Sequence, residues 1–137
     1  MLHSELFLDV RYYETDQMGI VHHSNYIRYF ECGRVAMLKE LGFPVEKIEE
    51  TGVMLPVVSV DCRYKVPARL GDTLKVVSYI DEVPRSRLVI RTEIFNPAGQ
   101  LVCNGTVVLG FINSLTRRPV RCPEALVNFF AENINLN

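Results

Sequence analysis

Leu6, Leu8, Val10 and Tyr12 alternate with Phe7, Asp9, Arg11 and Tyr13, a period of two that predicts a strand with one more apolar face. A polar, glycine-containing loop follows, Glu14-Thr15-Asp16-Gln17-Met18-Gly19. Ser24 or Asn25 then offers a side-chain oxygen suited to capping a helix. From Tyr26 the period changes. Tyr26, Tyr29, Phe30, Gly33, Met37 and Leu41 recur at steps of three and four, which predicts a helix over 26–41, closed at Gly42. Ile27, Val35 and Leu38 widen the apolar stripe, so this helix is expected to be covered on more than one side. Gly33 costs helix propensity and is expected to mark a close approach to a sheet. Glu31 is expected to pair with Arg28 or Arg34 at helical spacing.

The pattern then predicts a short helix over 45–51 and strands over 54–65, 73–83, 86–95 and 101–113. Turns fall at 67–72 and 96–99, and a short helix begins at Pro123, where proline is tolerated in the first turn. One strand, a long helix and four strands joined by short connections imply antiparallel pairing. The expected class is α+β, not a doubly wound sheet.

Composition narrows the function. The 137 residues are 48% hydrophobic and 23% charged, enough for one domain over 1–137 whose core needs neither disulfide nor metal. Fifteen Lys and Arg balance sixteen Asp and Glu, so the chain lacks the basic footprint of a nucleic-acid binder. Its apolar runs are too short for stable membrane insertion, and the start shows no signal peptide. Cys32, Cys62, Cys103 and Cys122 show no close pair of the kind that zinc sites use. They read as small buried apolar residues, kept reduced in a cytoplasm. No metal or bound cofactor is expected.

The chain holds no nucleophile elbow, phosphate-binding glycine loop or zinc-protease helix. His22 and His23 are adjacent, and their rings are expected to diverge, making them poor joint ligands. What remains is Asp16, a carboxylate on a strand-to-helix loop just before a helix N-terminus. The first turn of a helix presents unpaired N–H groups able to hold the oxygen of a polarised carbonyl. A carboxylate beside them can act as a base on water or as a nucleophile. Such equipment suffices to hydrolyse an activated acyl group.

Asp16, Gly19, Val21, Asn25-Tyr26, Tyr29-Phe30-Glu31 and Arg34 form one motif, and Tyr64-x-x-Pro67-Ala68-Arg69-x-Gly71-Asp72 forms a second. In this order they resemble hotdog-fold acyl-CoA thioesterases of the 4-hydroxybenzoyl-CoA thioesterase type. The resemblance implies a curved antiparallel sheet wrapped around the long helix. It also implies homodimers joined sheet edge to edge, often paired into homotetramers, with the active site at the dimer interface. By position in the motif, Asp16 is the catalytic carboxylate and the backbone N–H of His23 the oxyanion donor; the His23 imidazole is a separate candidate for contact with substrate or leaving group, and otherwise a helix-start residue. Gly19, Val21, Tyr26 and Ser59 are the expected substrate contacts. Asp61 is a candidate beside Ser59, and Met54, Leu55 and Pro56 would border the acyl tunnel.

Coenzyme A carries phosphates, which call for cations near the pocket mouth. Arg63, Lys65 and Arg69 form one candidate set, Arg85 and Arg87 another. The activity implied is hydrolysis of acyl-CoA, with acyl carrier protein thioesters as a near alternative substrate. Two rivals are a hotdog dehydratase acting on hydroxyacyl thioesters, with His23 in its chemistry, and a non-catalytic acyl-CoA-binding module.

Overall fold

A computed structural model describes residues 1–134. In chain order the elements are β1 (Leu2–Asp9), a 3-10 turn (Tyr12–Glu14), α1 (Ser24–Glu40), α2 (Val45–Glu50), β2 (Val53–Met54), β3 (Val57–Tyr64), β4 (Thr73–Ile80), β5 (Arg87–Phe95), β6 (Leu101–Gly110), β7 (Ile112–Asn113) and α3 (Glu124–Ile134). Five strands form one antiparallel sheet in the order β1-β4-β5-β6-β3, and β2 pairs with β7 in a small second sheet. The long helix α1 lies across the large sheet, burying Tyr26, Tyr29, Phe30, Met37 and Leu38 against Leu74, Val76, Ile90, Ile94 and Val107.

Four boundaries differ from the periodicity. The first strand ends at Asp9, because Glu14 turns inward and its carboxylate accepts the Arg11 amide at 2.8 Å, bending Tyr12 and Tyr13 out into a 3-10 turn. The strand expected over 54–65 breaks at Leu55-Pro56, where proline has no amide to donate, and a bulge follows between Val57 and Ser59. The strand over 101–113 breaks at Phe111, which is buried, and its last two residues pair with β2 instead. The third expected strand stops at Ile80. Sequence neighbours β3 and β4 do not pair. After Tyr64 the amides of Lys65 and Val66 both donate to Val102 O, and the chain then passes to the far side of β5.

Gly33 does mark a close approach. A Cβ there would stand 2.8 Å from both Ser78 Oγ and Val76 Cγ1, so glycine lets α1 seat on β4. Glu31 takes Arg34 as its partner at 3.8 Å. The expected cap is absent. His23 occupies the N-cap with no side-chain hydrogen bond, because Ser24 and Asn25 point their side chains at other partners. Ile27 and Val35 stay exposed, so the helix is covered on less of its circumference than its apolar stripe suggested.

The cysteines divide. Cys103 and Cys122 are buried and Cys62 half-buried, but Cys32 is exposed on the outer side of α1, where residues 27, 28 and 31 also face out. Burial pushes the Cys103 and Cys62 thiols up, and the Cys122 thiol up to about 11. Since the thiolate is the reactive form, a maleimide at pH 7.5 is expected to label Cys32 in the native protein well before the others. Labelling of Cys103 at a comparable rate, read by peptide mass, would contradict the packing. Among the described residues no helix is long and apolar enough to cross a membrane.

Candidate active site

The loop between β1 and α1 is a small clamp. The Asp16 amide donates to Ile20 O at 2.9 Å and the Gly19 amide to Asp16 O at 3.1 Å, closing a turn that Gly19 completes at φ +75°. Asp16 Oδ1 accepts the Met18 amide at 2.8 Å and the Ile20 amide at 3.4 Å. Its other oxygen has no hydrogen-bond partner among the described residues, and the residue is exposed. One carboxylate oxygen is thereby anchored while the second faces solvent.

The clamp is stitched to the turn before β4. Val21 N donates to Ala68 O at 2.8 Å, and Leu70 N donates to Gly19 O at 3.0 Å. Ile20 bridges Arg69, which brings that arginine beside the Asp16 loop. Tyr26 contributes from the helix, its hydroxyl accepting the Ala68 amide at 3.1 Å. Val21 and Tyr26 are each only 4% exposed, so in the single chain their side chains hold up the loop from inside.

Glu14, which no pattern in the sequence marks, anchors the other side. It is 5% exposed, and its Oε1 accepts the Tyr29 hydroxyl at 3.0 Å as well as the Arg11 amide. Burial and this carboxylate together hold the Tyr29 hydroxyl well above the ordinary phenol range. The Glu14 carbonyl accepts the His22 amide at 2.9 Å and Asn25 Nδ2 at 3.0 Å. Asparagine at a helix start was the one available signal, and it reads first as a cap.

These bonds sort the amides at the helix start. Those of His22, Ser24, Asn25 and Tyr26 donate to Glu14 O, His22 Nδ1, His22 O and His23 O. The His23 amide has no acceptor among the described residues. It stands at the positive end of a 17-residue helix, where negative charge is stabilised. The two imidazoles do not diverge. Their centroids are 4.2 Å apart, since His22 Nδ1 is held 2.8 Å from Ser24 Oγ and turns its ring across His23. His23 also meets the edge of Tyr64 at 6.4 Å, and Tyr64 packs on Tyr26 at 5.5 Å.

The other candidates lie on β3 or farther off. Ser59, Asp61 and Arg63 are exposed on this edge strand, opposite Val108, Thr106 and Asn104 of β6. Lys65 follows directly and is also exposed. Met54, Leu55 and Pro56 line a cavity of about 270 Å³ with Arg34, Leu38 and Leu109. Arg85 and Arg87 sit at the opposite end of the sheet. Arg87 faces Gly110 and Phe95 faces Leu101, so β5 sets Arg87 roughly 26 Å from the Asp16 end at ~3.3 Å per residue.

An antiparallel sheet seated on one long helix is the hotdog architecture. Residues 10–130 match the Thioesterase-like superfamily, and the chain belongs to it. It is 43% identical over 99 residues to YneP of Bacillus subtilis (strain 168), provisionally named an acyl-CoA thioesterase, the match covering 72% of each chain. It is 28% identical over 123 residues to the acyl-CoA thioester hydrolase YbgC of Escherichia coli O157:H7, covering 90% of this chain and 92% of that one. A solved DHNA-CoA thioesterase from Staphylococcus aureus superposes at a TM-score of 0.92 with 31% identity, covering all of this chain and 94% of the other.

Proposed function

We propose that the protein hydrolyses acyl-CoA to a free carboxylic acid and coenzyme A between Asp16 and the His23 amide. Two groups without hydrogen-bond partners among the described residues carry this reading: one carboxylate oxygen of Asp16 on a pinned loop and the His23 amide at the tip of α1. The thioester carbonyl points at that amide, which stabilises the tetrahedral oxyanion by about 3–4 kcal/mol. Asp16 either takes a proton from the attacking water or attacks the carbonyl itself, giving a mixed anhydride that water then opens. In both routes a C–O bond replaces the C–S bond, and the sulfur leaves as thiolate and is protonated. Thiol release from CoA esters of varied chain length and aromatic character tests the reading. Equal amounts of free thiol and carboxylic acid are expected; enoyl product without thiol, or binding without turnover, overturns it.

A second copy completes the site. The outer edge of β3 has no strand partner among the described residues, while Val57, Val58 and Tyr64 lie exposed along it. Such an edge is a template for pairing. Antiparallel pairing of two β3 strands gives a homodimer and lays the start of one β3 beside the Tyr64 end of the other. Ser59 then enters the site from the second copy, and homotetramers form by pairing of dimers. The cytoplasm, where thiols stay reduced, is the proposed location.

Arg63, Lys65 and Arg69 supply the cations for the coenzyme A phosphates. Converting all three to Gln is expected to raise KM for acyl-CoA at least about tenfold and to change kcat much less. An unchanged KM removes the assignment.

A further inference from the structure

Glu14 is a carboxylate that the hydrolysis described above does not use, buried two residues before Asp16. A buried carboxylate needs partners for its oxygens. Those of Glu14 come from both sides of the site. Oε1 accepts the Arg11 amide, from the turn that leads into the Asp16 loop, and the Tyr29 hydroxyl, from α1. Oε2 faces Arg11 Nη1 at 3.7 Å. The main chain repeats the tie. Glu14 O accepts the His22 amide and Asn25 Nδ2, and Thr15 bridges Val21.

Beyond Glu14 the chain is held differently. Asp16 is exposed, and its side chain accepts only amides of its own turn, those of Met18 and Ile20. The turn is therefore a closed unit whose placement is set from outside. On one side Val21 and Gly19 bond Ala68 and Leu70 of the turn before β4. That support reaches α1 at one remove, through the Tyr26 hydroxyl on the Ala68 amide. On the other side Glu14 ties the loop directly to the helix whose tip carries the His23 amide.

We propose that Glu14 is a positioning residue for the reaction: its carboxylate, bonded to Tyr29, sets where the Asp16 turn stands relative to the tip of α1. It acts through Asp16 and touches no reacting atom. The proposal rests on the thioesterase reading and adds a residue to that same site. Misplacing a reacting group by about 1 Å can cost roughly 10²-fold in rate. The tie is thus expected to act on kcat and to leave KM alone.

Steady-state thiol release from an acyl-CoA tests this in the native protein, Glu14→Gln, Glu14→Ala and Tyr29→Phe. Glu14→Ala and Tyr29→Phe are also each placed on Asp16→Asn. Glu14→Ala is expected to lower kcat about 10²-fold with KM within about twofold. Glutamine keeps an oxygen for the Arg11 amide and the Tyr29 hydroxyl, so Glu14→Gln is expected to stay within about threefold of native kcat. Tyr29→Phe fills the same space without the hydroxyl and is expected to lose about tenfold. Residues that act as a unit are not additive, so on Asp16→Asn each change is expected to cost less than about threefold more. The full loss repeated on Asp16→Asn, a glutamine variant as slow as the alanine one, or a raised KM at native kcat each overturn the proposal. Should Glu14→Ala fail to fold, Tyr29→Phe in the two backgrounds reads the same coupling. A native protein that releases no thiol overturns the thioesterase reading, and the positioning role with it.

Discussion

Asp16→Asn is expected to lower kcat for acyl-CoA hydrolysis by about 10³-fold, within the range attributed to a positioned base, and to leave KM nearly unchanged. Asparagine keeps the carbonyl oxygen that accepts the Met18 and Ile20 amides, so the turn from Asp16 to Ile20 survives the substitution. Only the solvent-facing oxygen changes, from an anionic acceptor to an amide donor that can neither take a proton nor attack a carbonyl. Thiol release under saturating substrate measures the effect, and unfolding temperature checks that the loop is intact. Near-native turnover by this variant would sink the mechanism. A large loss with a lowered unfolding temperature would point to the turn and away from the chemistry.

The largest effect on stability is expected at Gly105. A methyl group there would collide with the Asp61 carbonyl oxygen on β3 and lie 2.9 Å from Phe30 Cε2 on α1. Backbone cannot yield without opening the β3–β6 ladder, and Phe30 is among the most buried side chains. Gly105→Ala is expected to cost about 3 kcal/mol or more, the upper range for overpacking, and to lower the unfolding temperature by roughly 10 °C. Gly110→Ala is the control. Its methyl would meet Val58 Cγ2 at 3.2 Å, a side chain at an exposed edge that can turn aside. Equal unfolding temperatures for the two variants would mean that β3 is not held against α1 in this way. Because β3 carries Tyr64 to Tyr26 and His23, loss of Gly105 packing also reaches the site.

Legibility followed distance along the chain. The period from Tyr26 to Leu41 reveals the helix, and Gly33 its approach to the sheet, because both are patterns within one element. The hairpin at 96–99 is equally local, with Asn96 N donating to Gln100 O at 3.0 Å and Gly99 at φ +80°. Asp16 drew notice as a carboxylate before a helix, and the motif around it pointed to the family. Glu14 did not. Its partners Asn25 and Tyr29 stand eleven and fifteen residues away, and nothing in composition says that a glutamate in a polar loop turns inward. The same holds for Cys32, whose exposure depends on which side of α1 the sheet occupies.

By itself, the sequence determined the elements, the α+β class and the chemistry available at the start of α1, since these depend on side-chain period, turn residues and residue type over short spans. Tertiary structure decided which strands are neighbours, sending β3 to β6 instead of β4, because pairing is a competition among distant edges that local pattern does not record. It also decided which amide at the helix tip stays free, since that depends on what Glu14 and His22 have already bound.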